Sequence, residues 1–148
     1  MKPAPKLVVD ASVAVKWYVP ESGSQRAAAL LDGPAQLLAP DLLVPEFGNA
    51  VWKKTQRGEL RAEEGAAIVR AFLAAPPVTL RSSTVLLQAA WEIARRFRRS
   101  VYDAVYLALA MAEDCPVVTA DDALARTMRA TTLREFVTTL AQWTSSPS

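Results

Sequence analysis

Four acidic residues stand apart in this chain because of the company they keep. Asp10 ends the apolar run Leu7-Val8-Val9 and is followed by the small pair Ala11-Ser12. Asp121 follows Val117-Val118-Thr119-Ala120. Asp103 lies near the start of a stretch, Val101 to Met111, that is otherwise nearly all apolar, and Glu46 sits among Leu42, Leu43, Val44, Phe47, Ala50, Val51 and Trp52. A charge inside an apolar pattern is costly to bury unless something pairs with it. Taken singly, each acid has a plainer reading as a helix cap, a first-turn acid that suits the helix dipole, or one side of a solvated face. Brought to one place, four carboxylates would repel one another and demand divalent cations with hard oxygen ligands. Two such ions about 3.5–4 Å apart can activate a water and stabilise the leaving oxygen of a phosphodiester.

The chain contains no histidine. That removes Ser-His and Cys-His nucleophilic arrangements and the two-histidine chemistry of metal-free ribonucleases. It also removes most zinc sites, so any hydrolysis has to run on carboxylates, which favour Mg²⁺ or Mn²⁺. Asn49, three residues beyond Glu46, shares its helical face and is placed to orient it. Ser12 and Thr119 flank the two strand-end acids and offer hydroxyls to fix their rotamers, with helix capping as the alternative use. Two basic concentrations follow: Lys53, Lys54, Arg57 and Arg61 after Glu46, and Arg95, Arg96, Arg98 and Arg99 before Asp103. Such runs are commonly solvated helix faces; beside an acidic pocket, Lys53, Arg57, Arg95 and Arg99 are candidates to bind the phosphates flanking a scissile bond. Trp17, Trp52, Trp91 and Trp143 could stack on bases, though core packing or a subunit interface is the more ordinary use.

The elements that must hold these side chains follow from pattern. Leu7-Val8-Val9 is short and branched, as buried parallel strands are. Ser12 is expected to cap a short helix through Trp17 and Tyr18, stopped by Pro20. A helix over Gln25–Leu31, a strand over Gln36–Ala39 and a helix from an Asp41 cap to about Gln56 come next, the last ended by Gly58. Arg61-Ala62-Glu63-Glu64 opens another helix, Val78–Leu80 reads as a strand, and Ser82 or Ser83 caps a long helix carrying Leu86, Leu87, Ala90, Ile93, Ala94 and Phe97 at helical spacing. Ser100 starts a helix to about Glu113, Pro116–Thr119 is a strand, and Asp121 to Met128 a short helix. A terminal helix is expected over 133–143, with a frayed tail over 144–148. Strands alternating with helices predict a three-layer α/β/α sandwich around a central parallel sheet of four to five strands, and a single domain over 1–148.

At 148 residues, 51% hydrophobic and 22% charged, the chain has the balance of an ordered globular domain rather than a disordered one. Its net charge of +2 leaves any nucleic-acid affinity to local clustering. The apolar runs are too short for a signal peptide or a membrane span, and the single cysteine, Cys115, suits a reducing cytoplasm.

The order Val8-Val9-Asp10-Ala11-Ser12, then Pro45-Glu46-Phe47-Gly48-Asn49-Ala50, then Val101-Tyr102-Asp103-Ala104-Val105-Tyr106-Leu107-Ala108, then Val118-Thr119-Ala120-Asp121 resembles a PIN domain. More narrowly it is similar to the VapC-type toxins of toxin–antitoxin modules, over about residues 6–130. The resemblance implies a homodimeric, Mg²⁺- or Mn²⁺-dependent endoribonuclease held inactive by a VapB-like antitoxin. It implies that Asp10, Glu46, Asp103 and Asp121 are the acidic metal ligands, with Ser12, Asn49 and Thr119 at the small hydroxyl and amide positions beside them. Hydrolysis would proceed by a metal-activated water. Beyond Asp121 the match weakens, and Ala130-Thr131-Thr132 fits poorly with the apolar final strand such domains often have.

Other phosphate chemistries fit less well. A haloacid-dehalogenase-like site wants an aspartate where Ser12 stands, a receiver domain wants an acidic pair ahead of the strand-end aspartate, and a dinucleotide fold wants glycines after the first strand. A PIN-like module that binds RNA or protein without cutting, or a PIN nuclease without an antitoxin, would keep the same residues. Chelator-sensitive cleavage separates the first from an enzyme, and the neighbouring gene the second.

Overall fold

The computed structural model describes residues 3–143; the tail expected over 144–148 lies outside them. Five strands, β1 (Lys6–Val9), β2 (Gln36–Pro40), β3 (Thr79–Arg81), β4 (Val117–Thr119) and β5 (Val137–Thr139), form one sheet of order β3-β2-β1-β4-β5. Every pairing in it is parallel. The helices are α1 (Ala11–Ala14), α2 (Ser24–Asp32), α3 (Leu43–Gln56), α4 (Ala62–Ala74), α5 (Ser83–Phe97), α6 (Val101–Glu113) and α7 (Asp122–Arg129).

Alternation along the strands divides the core in two. Leu7 and Val9 of β1, Leu37 and Ala39 of β2, and Val118 of β4 pack with Val13, Ala27, Phe47, Val51 and Phe72 from α1–α4. Val8, Leu38 and Val117, pointing the other way, pack with residues of α5, α6 and α7. A strand with both faces covered reads as a continuous apolar run, which is why Leu7-Val8-Val9 does not alternate. Helix α6 is buried from Ala104 through Ala110, consistent with its nearly uninterrupted apolar sequence. Helices α3 and α4 approach closely at the buried Gly65, where a Cβ would stand 2.8 Å from Thr55 Oγ1.

Connections run outward from β1 in two directions: β1 to β2 to β3 on one side, β4 and β5 on the other. The gap between β1 and β4 is therefore the switch point of the sheet, where the carboxyl ends of the strands open a crevice. Val8 pairs with Val117 and Val9 with Val118, so Asp10 and the residues after Thr119 leave the sheet side by side.

Three local expectations are corrected. Residues 133–143 do not form a terminal helix: Arg134–Phe136 make one 3₁₀ turn and Val137–Thr139 join the sheet beside β4. Three consecutive β-branched residues lose rotamer freedom in a helix and pack well on a pleated edge, and Leu133 and Leu140 serve the core from either side of the strand. The final strand thus lies beyond Ala130-Thr131-Thr132. Asp41 does not cap α3; its Oδ1 accepts the Ser83 N–H at 3.1 Å and so ties β2 to the start of α5. Ser12 does not cap the first helix either, because Asp10 is its N-cap and accepts the Val13 N–H at 3.3 Å.

Candidate active site

Asp10 stands at the carboxyl end of β1 with both carboxylate oxygens engaged. Ser12 Oγ donates to Oδ1 and Thr119 Oγ1 to Oδ2, each at 2.5 Å. The two hydroxyls are themselves oriented by backbone amides beyond β4: Ala120 N–H donates to Ser12 Oγ at 2.9 Å and Asp121 N–H to Thr119 Oγ1 at 2.9 Å. The two strand ends are thereby laced together through the carboxylate, with the amides acting on the hydroxyls and the hydroxyls on Asp10. Chains of this kind polarise one another and hold a rotamer firmly. Thr119 is fully buried, while Ser12 and Asp10 are part-buried.

Glu46 lies in the first turn of α3, at the start of the helix, where a negative charge is favoured. Its Oε1 accepts a hydrogen bond of 2.6 Å from the phenol of Tyr106, which is buried on α6. Asp103, one turn before Tyr106 on the same helix, has its amide capped by Ser100 Oγ at 3.1 Å and its Oδ2 paired with Arg99 at 2.7 Å. Asp121 caps α7, its Oδ1 accepting the N–H groups of Ala123 and Leu124 at 3.0 and 3.2 Å.

These four acids, carried by β1, α3, α6 and α7, line one cleft of about 180 Å³ together with Ala11, Ser12, Tyr106, Leu107, Val117 and Leu124. Among the described residues, no lysine or arginine lines it. The electrostatics follow. Burial pushes the Asp10 carboxyl above the usual range against the hydrogen bonds of Ser12, Thr119 and Val13, and Asp121 adds repulsion. Burial also raises Glu46, with Asp10 and Asp103 repelling it and the Tyr106 hydrogen bond working the other way. Burial raises Tyr106 itself, reinforced by its bond to Glu46, so the phenol stays protonated as a donor.

A donor set made wholly of oxygens, without a basic lining residue among the described ones, fits a hard divalent cation. Among the described residues, no three acidic or thiol side chains stand close enough together to hold one ion between them. Asp103 is turned to Arg99, and Asp121 is turned to the amides of its own helix.

Of the other residues singled out by sequence, Asn49 is exposed on α3 and does not line the cleft; the group that holds Glu46 is Tyr106. Sequence reasoning missed this role, although Tyr106 is the one residue with a polar tip between Ala104 and Ala110, and it lies three residues after Asp103. Lys53 and Arg57 are exposed outside the cleft lining, and Arg95 is exposed and paired with Glu92 at 2.7 Å. Only Arg99 of the four basic candidates touches a site acid. Among the tryptophans, Trp17 donates to Ala27 O at 2.8 Å and packs on the core, whereas Trp52 and Trp91 are more than half exposed.

A three-layer α/β/α protein with an acid-lined crevice at the switch point of its parallel sheet is a defined class, and the chain belongs to the PIN domain family, whose pattern matches residues 7–130. It is 35% identical over 123 residues to ribonuclease VapC3 of Pyrobaculum aerophilum, covering 81% of this chain and 92% of that one. It is 36% identical over 131 residues to ribonuclease VapC9 of Mycobacterium tuberculosis, covering 84% of this chain and 92% of the other. The fold is shared with VapBC2 of Rickettsia felis, solved bound to a DNA fragment from its promoter. The TM-score there is 0.62 at 13% identity, over 90% of this chain and 98% of that one.

Proposed function

We propose that this protein is an endoribonuclease, the toxin of a toxin–antitoxin pair, and that it hydrolyses RNA phosphodiester bonds in the cleft between β1 and β4. One observation carries the reading: four acidic residues from four separate elements line a single cleft that no basic residue among the described ones lines, in a chain whose relatives are named ribonuclease VapC.

Asp10, Asp103, Asp121 and Glu46 would hold Mg²⁺ or Mn²⁺. A cation bound there supplies Lewis acidity, polarising the phosphate and making an attacking water more acidic. Asp10 is the fixed point, since Ser12 and Thr119 lock its rotamer and Leu7–Val9 behind it are fully buried. Glu46 would bind a second ion or help position and deprotonate the water as general base. Its raised pKa brings its affinity for a proton closer to what the task requires, and Tyr106 holds one oxygen of this cleft-lining residue in place. Leu107, Val117 and Leu124 wall the cleft with apolar surface and strengthen every charge interaction inside it.

A VapB-like antitoxin partner and a homodimer belong to the same proposal, supported by the kinship with VapC ribonucleases and by the exposed Trp52, Val85, Trp91 and Tyr102. So do a cytoplasmic site of action and a single domain over 1–148; no helix among the described residues is long and apolar enough to cross a membrane.

The test is a cleavage-site map on total RNA with Mg²⁺, comparing wild type, Asp10→Asn and wild type with EDTA. Discrete cuts that vanish in both controls are expected, with Asp10→Asn losing at least about a hundredfold in rate, beyond the loss typical of changes around a metal ligand. Full activity in Asp10→Asn would sink the assignment.

A further inference from the structure

Arg99 is the basic residue that the cleft chemistry does not yet account for. It lies in the three-residue connection between α5 and α6. Arg98 caps α5 in the left-handed region at φ 55°, the Arg99 N–H donates to Ala94 O at 3.3 Å, and Ser100 caps α6. The side chain from this turn reaches Asp103 Oδ2 with a single bond from Nη2 at 2.7 Å. Its Nε is buried and, among the described residues, has no hydrogen-bond partner.

That pairing is incomplete for an arginine. The guanidinium presents Nε–H and Nη–H side by side, a fork that suits two oxygens of one carboxylate or one phosphate. Here one tine is used and the other is left buried and unsatisfied, which is costly in a folded protein. Asp103 is also one of the four cleft acids, and a cation held among them needs its carboxylate. Arg99 and the cation therefore call on the same carboxylate, and a phosphate would satisfy the whole fork where Asp103 satisfies half of it.

We propose that Arg99 is an exchangeable counter-ion of the site: it competes with the divalent cation for Asp103 and, once displaced, takes a phosphate of the RNA strand through Nε and Nη together. This rests on the reading of the cleft as a cation-dependent ribonuclease site. The order of events follows: cation first, then a guanidinium released at the rim for the substrate backbone. Cation and RNA thus bind cooperatively through this exchange, apart from their contact at the scissile phosphate, because each removes the other's competitor.

Calorimetric titration of Mn²⁺ into Arg99→Gln, wild type and Arg95→Gln tests the first half. Arg95 has a similar charge and its own i−3 partner, Glu92, outside the cleft lining. Arg99→Gln should bind Mn²⁺ roughly two- to fivefold more tightly, the range expected from a part-exposed ion pair, while Arg95→Gln stays at the wild-type value. Unchanged or weaker binding in Arg99→Gln, in a protein whose circular dichroism is unaltered, overturns the competition. No binding by the wild type would instead remove the cation-site reading itself, and this inference with it.

The second half is read from fluorescence anisotropy of a labelled 20-nucleotide single-stranded oligoribonucleotide with Ca²⁺ or with EDTA, its integrity checked on a gel. In Ca²⁺ the slope of log affinity against log salt should fall by roughly 0.7 in Arg99→Gln, the change expected when one phosphate of a single strand is no longer neutralised. In EDTA the two slopes should agree. Equal slopes in Ca²⁺, or the same decrease in both conditions, overturn the phosphate role.

Discussion

Two part-buried carboxylate centres in this molecule are built on opposite terms. Glu21, in the loop before α2, lies between two ammonium groups, Lys16 Nζ at 2.9 Å and Lys54 Nζ at 2.5 Å. Burial there works against the charge, but the hydrogen bonds from Lys54 and Lys16 outweigh it and hold the carboxyl below the usual range. Among the described residues, Asp10 and Glu46 are hydrogen-bonded only by neutral groups, Ser12, Thr119 and the Val13 amide on one and Tyr106 on the other, and burial holds both carboxyls above the usual range. The first centre is complete within the chain: it bolts the loop to α3 and to the 3₁₀ turn Val15–Trp17. The second has its geometry fixed and its charge left over. A neutral hydrogen-bond donor fixes where a carboxylate points without cancelling its charge, so the cleft keeps a field for a cation that the Glu21 network has already spent on its lysines.

The contrast can be broken in several ways. Saturating divalent cation should stabilise the protein strongly through the cleft: at a hundred times its dissociation constant Mn²⁺ should add about 2.7 kcal/mol, read as a shift of the urea midpoint. Asp10→Asn should lose that shift and Glu21→Gln should keep it. Tyr106→Phe removes the donor that holds Glu46 while keeping the ring in the core. A tenfold to hundredfold loss of cleavage rate is expected, by analogy with changes around metal ligands, with Glu46→Gln worse still. If Tyr106→Phe cleaves at the wild-type rate, Glu46 does not depend on the phenol for its position.

Glu21→Gln should cost about 1–2 kcal/mol in urea unfolding near neutral pH, since both ammonium groups lose a charged acceptor at a site still reached by solvent. The pH dependences then have opposite signs. The folded pKa of Glu21 is lowered, so its contribution is present above the unfolded value and is lost as pH falls through the folded one; the cost of Glu21→Gln should fade in acid. Asp10 and Glu46 have raised folded values, so without added cation their contribution is complete below the unfolded pKa and is lost as pH rises through the folded one. Asp10→Asn measured in EDTA should therefore gain on the wild type as pH goes from acid to neutral. Parallel profiles for the two variants would erase the distinction between the centres.

How far the molecule could be read in advance differs from element to element. The buried strand Leu7–Val9 and the apolar helix α6 announce themselves, because burial on all sides leaves no polar position to break the pattern. The four acids were visible for the same reason, each being a charge where the pattern wanted none. Val137–Thr139 was misread because three residues carry too little periodicity to outweigh the flanking Leu133 and Leu140, and what makes them a strand is the free edge of β4. Asn49 is legible beside Glu46 because spacing along one helix can be counted, whereas the Tyr106 bond across 60 positions cannot be.

The residue order alone, then, determined the class of fold, the absence of histidine chemistry and the identity of the acids that would have to converge. Only the tertiary structure decided that β1 and β4 are neighbours, that two amides beyond β4 reach Asp10 through Ser12 and Thr119, and that Arg99 rather than Arg95 meets an acid of the cleft. The physical reason is that local patterns record what each residue needs, solvent or burial, whereas which partner satisfies that need is set by which strand ends and helix turns the packed sheet brings within hydrogen-bond reach.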